Sequence, residues 1–276
     1  MRFFWLALFT LTPVAFMGLC LAAPWLEWSF PGESVSPLGR RIDHLYHVIA
    51  WIVGAVFVGT NGVLVWSLLK GSARGDREKG SYFHGNHRLE IAWTGLPFLI
   101  LCFIAVYQGQ VWADMKVQSS FPSAVTDGDK SLTAIAEVQA RQYEWRIRYP
   151  GLNEAGEPLE LSPDELASDV WTVNELHVPA GRPVLIKLKT QDVQHSFYLP
   201  EFRIKQDAVP GLKIPVWFEA SEPGEYVLQC AELCGWGHYK MNAKVVAHSE
   251  EDYRAWRLTA EANERDDGVA DATNDD

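Results

Sequence analysis

The sequence predicts a membrane-anchored α plus all-β chain: N-terminal transmembrane helices followed by a β-sandwich or barrel domain. Three observations carry that prediction. Charged residues are missing from Phe3 to Ala23, from Leu45 to Leu69 and from Ile91 to Ala113, and each run is long enough to cross a hydrocarbon core of about 30 Å. No such run recurs after Asp114. Beyond that point, short strings alternate apolar and polar residues between proline and glycine punctuation, as half-buried strands do.

Residues 1–23 read as a first transmembrane helix or a signal-like segment. Arg2 precedes an apolar stretch ending in Ala22 and Ala23, but Pro24 makes a poor cleavage context and favours a retained helix. Cys20 lacks the small residue expected just before a lipid-modified cysteine. Residues 45–113 read as a transmembrane helical hairpin. The loop between its two runs carries Lys70, Arg74, Arg77, Lys79 and Arg88, against only Arg40 and Arg41 before it. The richer loop belongs in the cytoplasm, so the domain that follows faces outward.

Residues 130–249 read as the β domain. WRIRY from Trp145 and VLIKLK from Val184 alternate, and VWFEA at 216–220, EYVLQC at 225–230 and MNAKVV at 241–246 are further strands. PAG at 179, PG at 210 and EPG at 222 separate them. The acidic stretch from Asn153 to Asp169 reads as an inserted loop, and residues 250–276 as an acidic, solvating tail. The chain's formal charge is −11; from Asp114 onward 16 Lys and Arg stand against 29 Asp and Glu, 16 − 29 = −13. Such a surface steers a basic protein partner. Lipid surrounds the helices, and no nucleic-acid partner is expected.

The densest chemistry lies in CAELCGWGHYKM, residues 230–241. In an oxidising compartment Cys230 and Cys234 suit a short disulfide, yet His238 and Met241 follow at close spacing, and a disulfide needs neither. Thiolate, imidazole and thioether are soft or borderline ligands that suit copper. Zinc competes, since two Cys and two His can close a tetrahedral site, and Met241 can equally be a core residue of its strand. The best second histidine is His195, at a strand end in QDVQHSFYLPEFRIKQDAVPG.

These residues resemble subunit II of a haem–copper cytochrome c oxidase, the subunit that carries the dinuclear copper centre called CuA. The family pattern CxExCxxxHxxM is matched at Cys230, Glu232, Cys234, His238 and Met241, DVxHSF from Asp192 to Phe197, and KxDAxPG from Lys205 to Gly211. The resemblance implies a cupredoxin-like β-sandwich or barrel. It implies two copper ions bridged by Cys230 and Cys234, with imidazoles from His195 and His238, a thioether from Met241 and the Glu232 carbonyl. It also implies magnesium at the subunit I interface through the Glu232 carboxylate, a hard oxygen ligand.

The implied activity is electron relay: electrons pass from a separate c-type cytochrome through the copper pair to the haem of subunit I, where oxygen is reduced with proton translocation. Subunit III is a further implied partner, and the outer face of a bacterial cytoplasmic membrane the implied location. No CxxCH motif occurs, so the haem-bearing donor is a separate protein. HGNHRLEIAWTGLP places Glu90 at the cytoplasmic boundary, where relatives have a proton-uptake carboxylate; a favourable charge at a helix start is the plain alternative.

Two departures stand out. Where relatives have QWYW this chain has Gln142, Tyr143, Glu144 and Trp145, so Tyr143 takes the position of the exposed electron-accepting tryptophan, with Trp145 as second candidate or core residue. Leu212 follows the PG pair where many relatives carry arginine. A membrane-anchored copper carrier or assembly factor would use the same ligands but needs only one anchor. A quinol oxidase subunit would lack them.

Overall fold

The computed structural model describes residues 2–23, 25, 32–73, 82, 84–126 and 132–272. Pro24, Arg74, Arg77, Lys79, residue 130 and residues 273–276, all used in the sequence reading, lie outside the described residues.

Contacts divide the chain into a helical unit, Met1–Pro31 with Asp43–Gln110, and a second unit, Gly32–Ile42 with Val111–Asp276. Three helices supply the long apolar segments: α1 Arg2–Ala22, α2 Pro37–Ala73 and α3 His87–Lys116. Each is long and apolar enough to span a membrane. Their large apolar side chains point outward, among them Trp51, Val63, Phe98 and Val106, a distribution suited to lipid and costly in water. Polar side chains within them are satisfied locally: Thr60 Oγ1 donates to Val56 O at 2.9 Å, Asn61 Nδ2 to Phe57 O at 2.9 Å and Ser67 Oγ to Val63 O at 2.8 Å. That removes the penalty of an unpaired donor in hydrocarbon. Asn86 Oδ1 caps α3 by accepting the Arg88 and Leu89 amides.

Among the described residues, the second unit is built on ten strands: β1 Ala136–Arg141, β2 Glu144–Tyr149, β3 Val170–Val173, β4 Glu175–Pro179, β5 Val184–Thr190, β6 His195–Leu199, β7 Ile204–Ala208, β8 Ile214–Phe218, β9 Gly224–Cys230 and β10 Asn242–His248. They form two five-stranded sheets, in order β3-β2-β1-β5-β8 and β4-β10-β9-β6-β7. Among the described residues, only the β1–β5 and β4–β10 pairs are parallel. Val138, Trp145, Ile147 and Ile186 from the first sheet and Leu176, Phe197, Leu228 and Val245 from the second share one buried core. The fold is a β-sandwich; each of the five predicted strings overlaps a strand, with Glu219 and Ala220 lying beyond β8 and Met241 before β10.

Two regions differ from expectation. Arg148, read as the exposed arginine of an alternating strand, is fully buried. The segment before β3 folds over this face of the sheet: Arg148 Nη1 donates to Asp169 Oδ2 and Asp164 O, both at 2.8 Å, and Nη2 to Ser162 O at 2.9 Å. Glu137 lies 3.3 Å away on β1. Burying that guanidinium is tolerable because acidic and carbonyl oxygens surround it.

The stretch read as a solvating tail forms α4, Glu250–Ala272. Ser249 Oγ accepts the Asp252 amide at 3.1 Å, and Glu250, Glu251 and Asp252 fill the first turn, a favourable start for a helix. Tyr253, Arg257 and Glu261 are buried, and Trp256 and Ala260 pack against the sandwich core. Glu261 Oε2 accepts the Leu152 amide at 2.9 Å, and Arg257 donates to Pro150 O.

Candidate metal centre

Strand pairing assembles the centre. β6 and β9 are antiparallel with Phe197 opposite Cys230; carried two residues further, that register sets His195 opposite Glu232. The Ala231 amide donates to Ser196 O at 3.0 Å and the Cys230 amide to Met241 O at 3.1 Å, which closes the intervening loop on itself. Within it the His238 amide bonds Gly235 O and the Met241 amide bonds His238 O, both at 3.2 Å. Gly235 has φ +138°, a conformation that favours glycine.

The four side chains Cys230, Cys234, His195 and Met241 are buried, and the two sulfurs lie 3.9 Å apart as free thiols, well beyond a disulfide bond of about 2.05 Å. His195 Nδ1 stands 3.8 Å from Cys230 Sγ, and His238 Nδ1 3.7 Å from Cys234 Sγ. Met241 Sδ faces Cys234 Sγ at 3.8 Å and Glu232 O faces Cys230 Sγ at 3.3 Å. Every predicted ligand is therefore brought to the thiol pair. The ligand atoms of His195, Cys230 and Cys234 lie within 4.8 Å of one another, close enough to hold one metal ion.

Electrostatics favours a cation here. Burial opposes ionisation of Cys230, but hydrogen bonds from His195, the Glu232 and Ser196 backbone and His238 together outweigh it and lower that thiol, whereas burial and then the neighbouring Cys230 sulfur push Cys234 up. Two adjacent thiols resist double ionisation without a positive charge between them. A metal supplies that charge.

His195 is oriented from behind: its Nε2–H donates to Asp192 Oδ1 at 2.8 Å, leaving Nδ1 toward the sulfurs. Asp192 Oδ2 also accepts the Gln142 amide at 2.7 Å. This orienting carboxylate was missed from sequence, although its three-residue spacing from His195 was visible.

The remaining candidates lie elsewhere. Trp145 is fully buried, its ring 6.3 Å from that of His195 and 5.8 Å from that of Phe197. It is a core residue, excluded from direct surface contact by the β1–β2 turn and the sandwich around it. Tyr143 is half-buried in that turn against the metal loop. Glu232 is half-buried. Glu90 belongs to the helical unit, exposed in the first turn of α3, with His87 Nδ1 3.2 Å from its Oε2. Leu212 is exposed, while Lys213 Nζ lies 3.6 Å from Glu137 Oε2.

A buried thiol pair ringed by imidazole, thioether and carbonyl donors, on a β-sandwich joined to membrane-crossing helices, defines a membrane-anchored protein with a soft-metal centre. The sequence matches the periplasmic domain of cytochrome C oxidase subunit II over residues 139–248 and its transmembrane domain over residues 23–111. It is 30% identical to cytochrome c oxidase subunit 2 of Thermostichus vulcanus over 83% of this chain and 78% of that one. It is also 30% identical to the alternative cytochrome c oxidase subunit 2 of Bradyrhizobium diazoefficiens, over 86% and 84%. A solved periplasmic domain of cytochrome oxidase subunit II from Bradyrhizobium japonicum matches at 25% identity and TM-score 0.39, covering 46% of this chain and 93% of that one. The chain belongs to the cytochrome c oxidase subunit II family. It is a membrane protein whose β domain lies on the outer side, part of a haem–copper oxidase with subunit I as partner, and its electron-transfer role follows from the family. The family implies a copper centre, and the soft donor set fits one.

Proposed function

We propose that this chain is the electron-accepting subunit of its oxidase, holding two copper ions on Cys230, Cys234, His195, His238, Met241 and the Glu232 carbonyl. Copper held there would supply a one-electron redox couple. The protein's part is to hold the donors: two come from strand ends, the loop is closed by backbone bonds, and Asp192 fixes the His195 ring. Donors held this rigidly would move little between the two redox states. The observation that carries the reading is the approach of two imidazole nitrogens, a thioether and a carbonyl to within 3.8 Å of a buried thiol pair.

The donor is a separate c-type cytochrome and the acceptor the haem of subunit I, with subunit III a further partner in a bacterial cytoplasmic membrane. The Glu232 carboxylate binds magnesium toward subunit I, and Glu90 lies at a proton-uptake point. Metal analysis with electron paramagnetic resonance tests the central claim: about two coppers per chain sharing one unpaired electron are expected. Zinc, a single copper or a cystine in the intact complex would overturn it. Glu232→Gln is expected to loosen magnesium and leave the copper resonance intact, because the carbonyl rather than the carboxylate faces Cys230. Loss of copper with magnesium retained would refute that division.

A further inference from the structure

We infer that Trp236 is the surface contact at which a protein electron donor docks and from which the electron passes inward, an inference resting on the copper reading above. The metal loop turns three large apolar side chains to solvent: Leu233, Trp236 and Tyr239 are 77%, 75% and 74% exposed. Apolar side chains clustered on a soluble surface mark an interaction site, and tryptophan is the residue type most often found at the energetic centre of one.

Of the three, Trp236 has the firmest support. Its ring centroid lies 6.0 Å from that of Tyr143, and Lys240 Nζ sits 4.8 Å from the ring centre on the loop's own backbone turn. Tyr143 is pressed against the loop itself. A Cβ on Gly237 would fall 2.5 Å from the Tyr143 ring, and one on Gly235 would collide with its hydroxyl. Only glycine at both positions admits the ring. Gln142 Nε2 adds a hydrogen bond to Cys234 O at 2.6 Å.

Trp236 therefore stands two residues from Cys234 and two from His238, on backbone that Tyr143 and Gln142 clamp. Electronic coupling weakens steeply with distance and is stronger through bonds than across gaps. Trp236 thus offers an exposed ring joined to two ligands by short covalent paths; Tyr239 adjoins His238 directly, but Trp236 is the ring set against Tyr143. Tyr143, half-buried under it, is a positioning residue. The transfer is a single electron: the donor is oxidised by one unit, the metal centre is reduced by one, and no bond or proton changes place. The partner that fits is a c-type cytochrome whose haem edge is framed by apolar side chains.

The test uses Trp236→Ala, Trp236→Leu and Trp236→Phe, each in the metal-free chain and in the assembled, copper-loaded oxidase. In the metal-free chain, alanine is expected to weaken binding of a reduced c-type cytochrome by about fivefold or more, as loss of a central aromatic contact does. In the oxidase, alanine and leucine are expected to slow electron transfer at saturating cytochrome by about tenfold, and phenylalanine by less, since leucine keeps the bulk and phenylalanine the ring. The copper resonance and reduction by hexaammineruthenium(II), which needs no docking, stay at parental level. Unchanged cytochrome affinity in the alanine variant, or an unchanged limiting rate in either the alanine or the leucine variant, overturns the inference. A parent oxidase lacking the shared-electron copper resonance would instead remove the copper reading, so the two failures are distinguishable.

Discussion

Asp192 shows how one carboxylate can govern a site it never enters. Its Oδ1 accepts from His195 Nε2, and its Oδ2 accepts the Gln142 amide, so it fixes both the imidazole orientation and the turn that leads into Tyr143. Burial alone would raise this carboxyl, but the amide of Gln142 and then His195 hold it below its ordinary value; it stays an anion while His195 donates. Asp192→Asn keeps the shape but leaves one acceptor oxygen where the carboxylate takes donors on both. Partners that orient a metal-binding histidine are worth about 10–100-fold in metal affinity. Copper retention against a competing chelator should therefore fall within that range while the secondary structure, read by circular dichroism, is unchanged. Retention equal to the parent would show that strand pairing alone positions His195.

At the scale of elements, the attachment of α4 makes stability depend on pH. His177 of β4 is stacked on Trp256 of α4 with centroids 4.1 Å apart, and on His248 of β10 at 5.2 Å, with His177 Nδ1 2.9 Å from His248 Nε2. Glu175 of β4 lies 3.5 Å from His177 Nε2, the Tyr149 hydroxyl accepts the His177 backbone amide at 2.6 Å, and Tyr253 and Asp252 from α4 bear on His248. Burial, then the neighbouring His248, lower His177 from 6.5 to about 4. A base whose folded value is depressed contributes stability above the unfolded value of 6.5, and loses it as the unfolded chain takes up protons between 6.5 and about 4. The loss amounts to roughly 1–3 kcal/mol. Thermal melting at pH 7, 5.5 and 4.5 should show a falling midpoint, and His177→Phe, which keeps a stacked ring without the titration, should flatten the fall. An equally steep fall in that variant would move its origin elsewhere. The helix was hidden in the sequence by its charge, although Tyr253, Trp256, Arg257, Ala260 and Glu261 recur at helical spacing along one face. The cluster of proposed ligands was visible because most of them sit within twelve residues, whereas the burial of Arg148 depends on a loop folding back from Ser162 to Asp169, a long-range event that alternation cannot report. β1 was unread for a related reason: Glu137 and Gln139 are buried on it, and polar residues on both ends of an alternation look like surface.

For the molecule as a whole, docking divides into approach and contact, and different residues serve each. From Asp114 onward the charge is 16 − 29 = −13, spread over a domain whose metal loop is apolar at its exposed tip. If the donor is the proposed c-type cytochrome and is basic, a field of that sign accelerates the encounter and is screened by salt, while the proposed apolar contact at Trp236 acts only after arrival. The association rate should accordingly fall by on the order of tenfold between low ionic strength and about 0.5 M salt, with the limiting transfer rate within the complex nearly constant. A chain ending at Ala262 tests where the field originates. It lacks Glu264, Arg265, Asp266, Asp267, Asp271, Asp275 and Asp276, a net 1 − 6 = −5, and keeps the residues through which α4 packs on the sandwich. If steering comes from the whole domain, this truncation lowers the salt dependence without abolishing it, since a charge of −8 remains. Complete loss would assign steering to the terminal carboxylates alone, and association indifferent to ionic strength in the full chain would remove electrostatic steering altogether, leaving the aromatic contact to determine recognition.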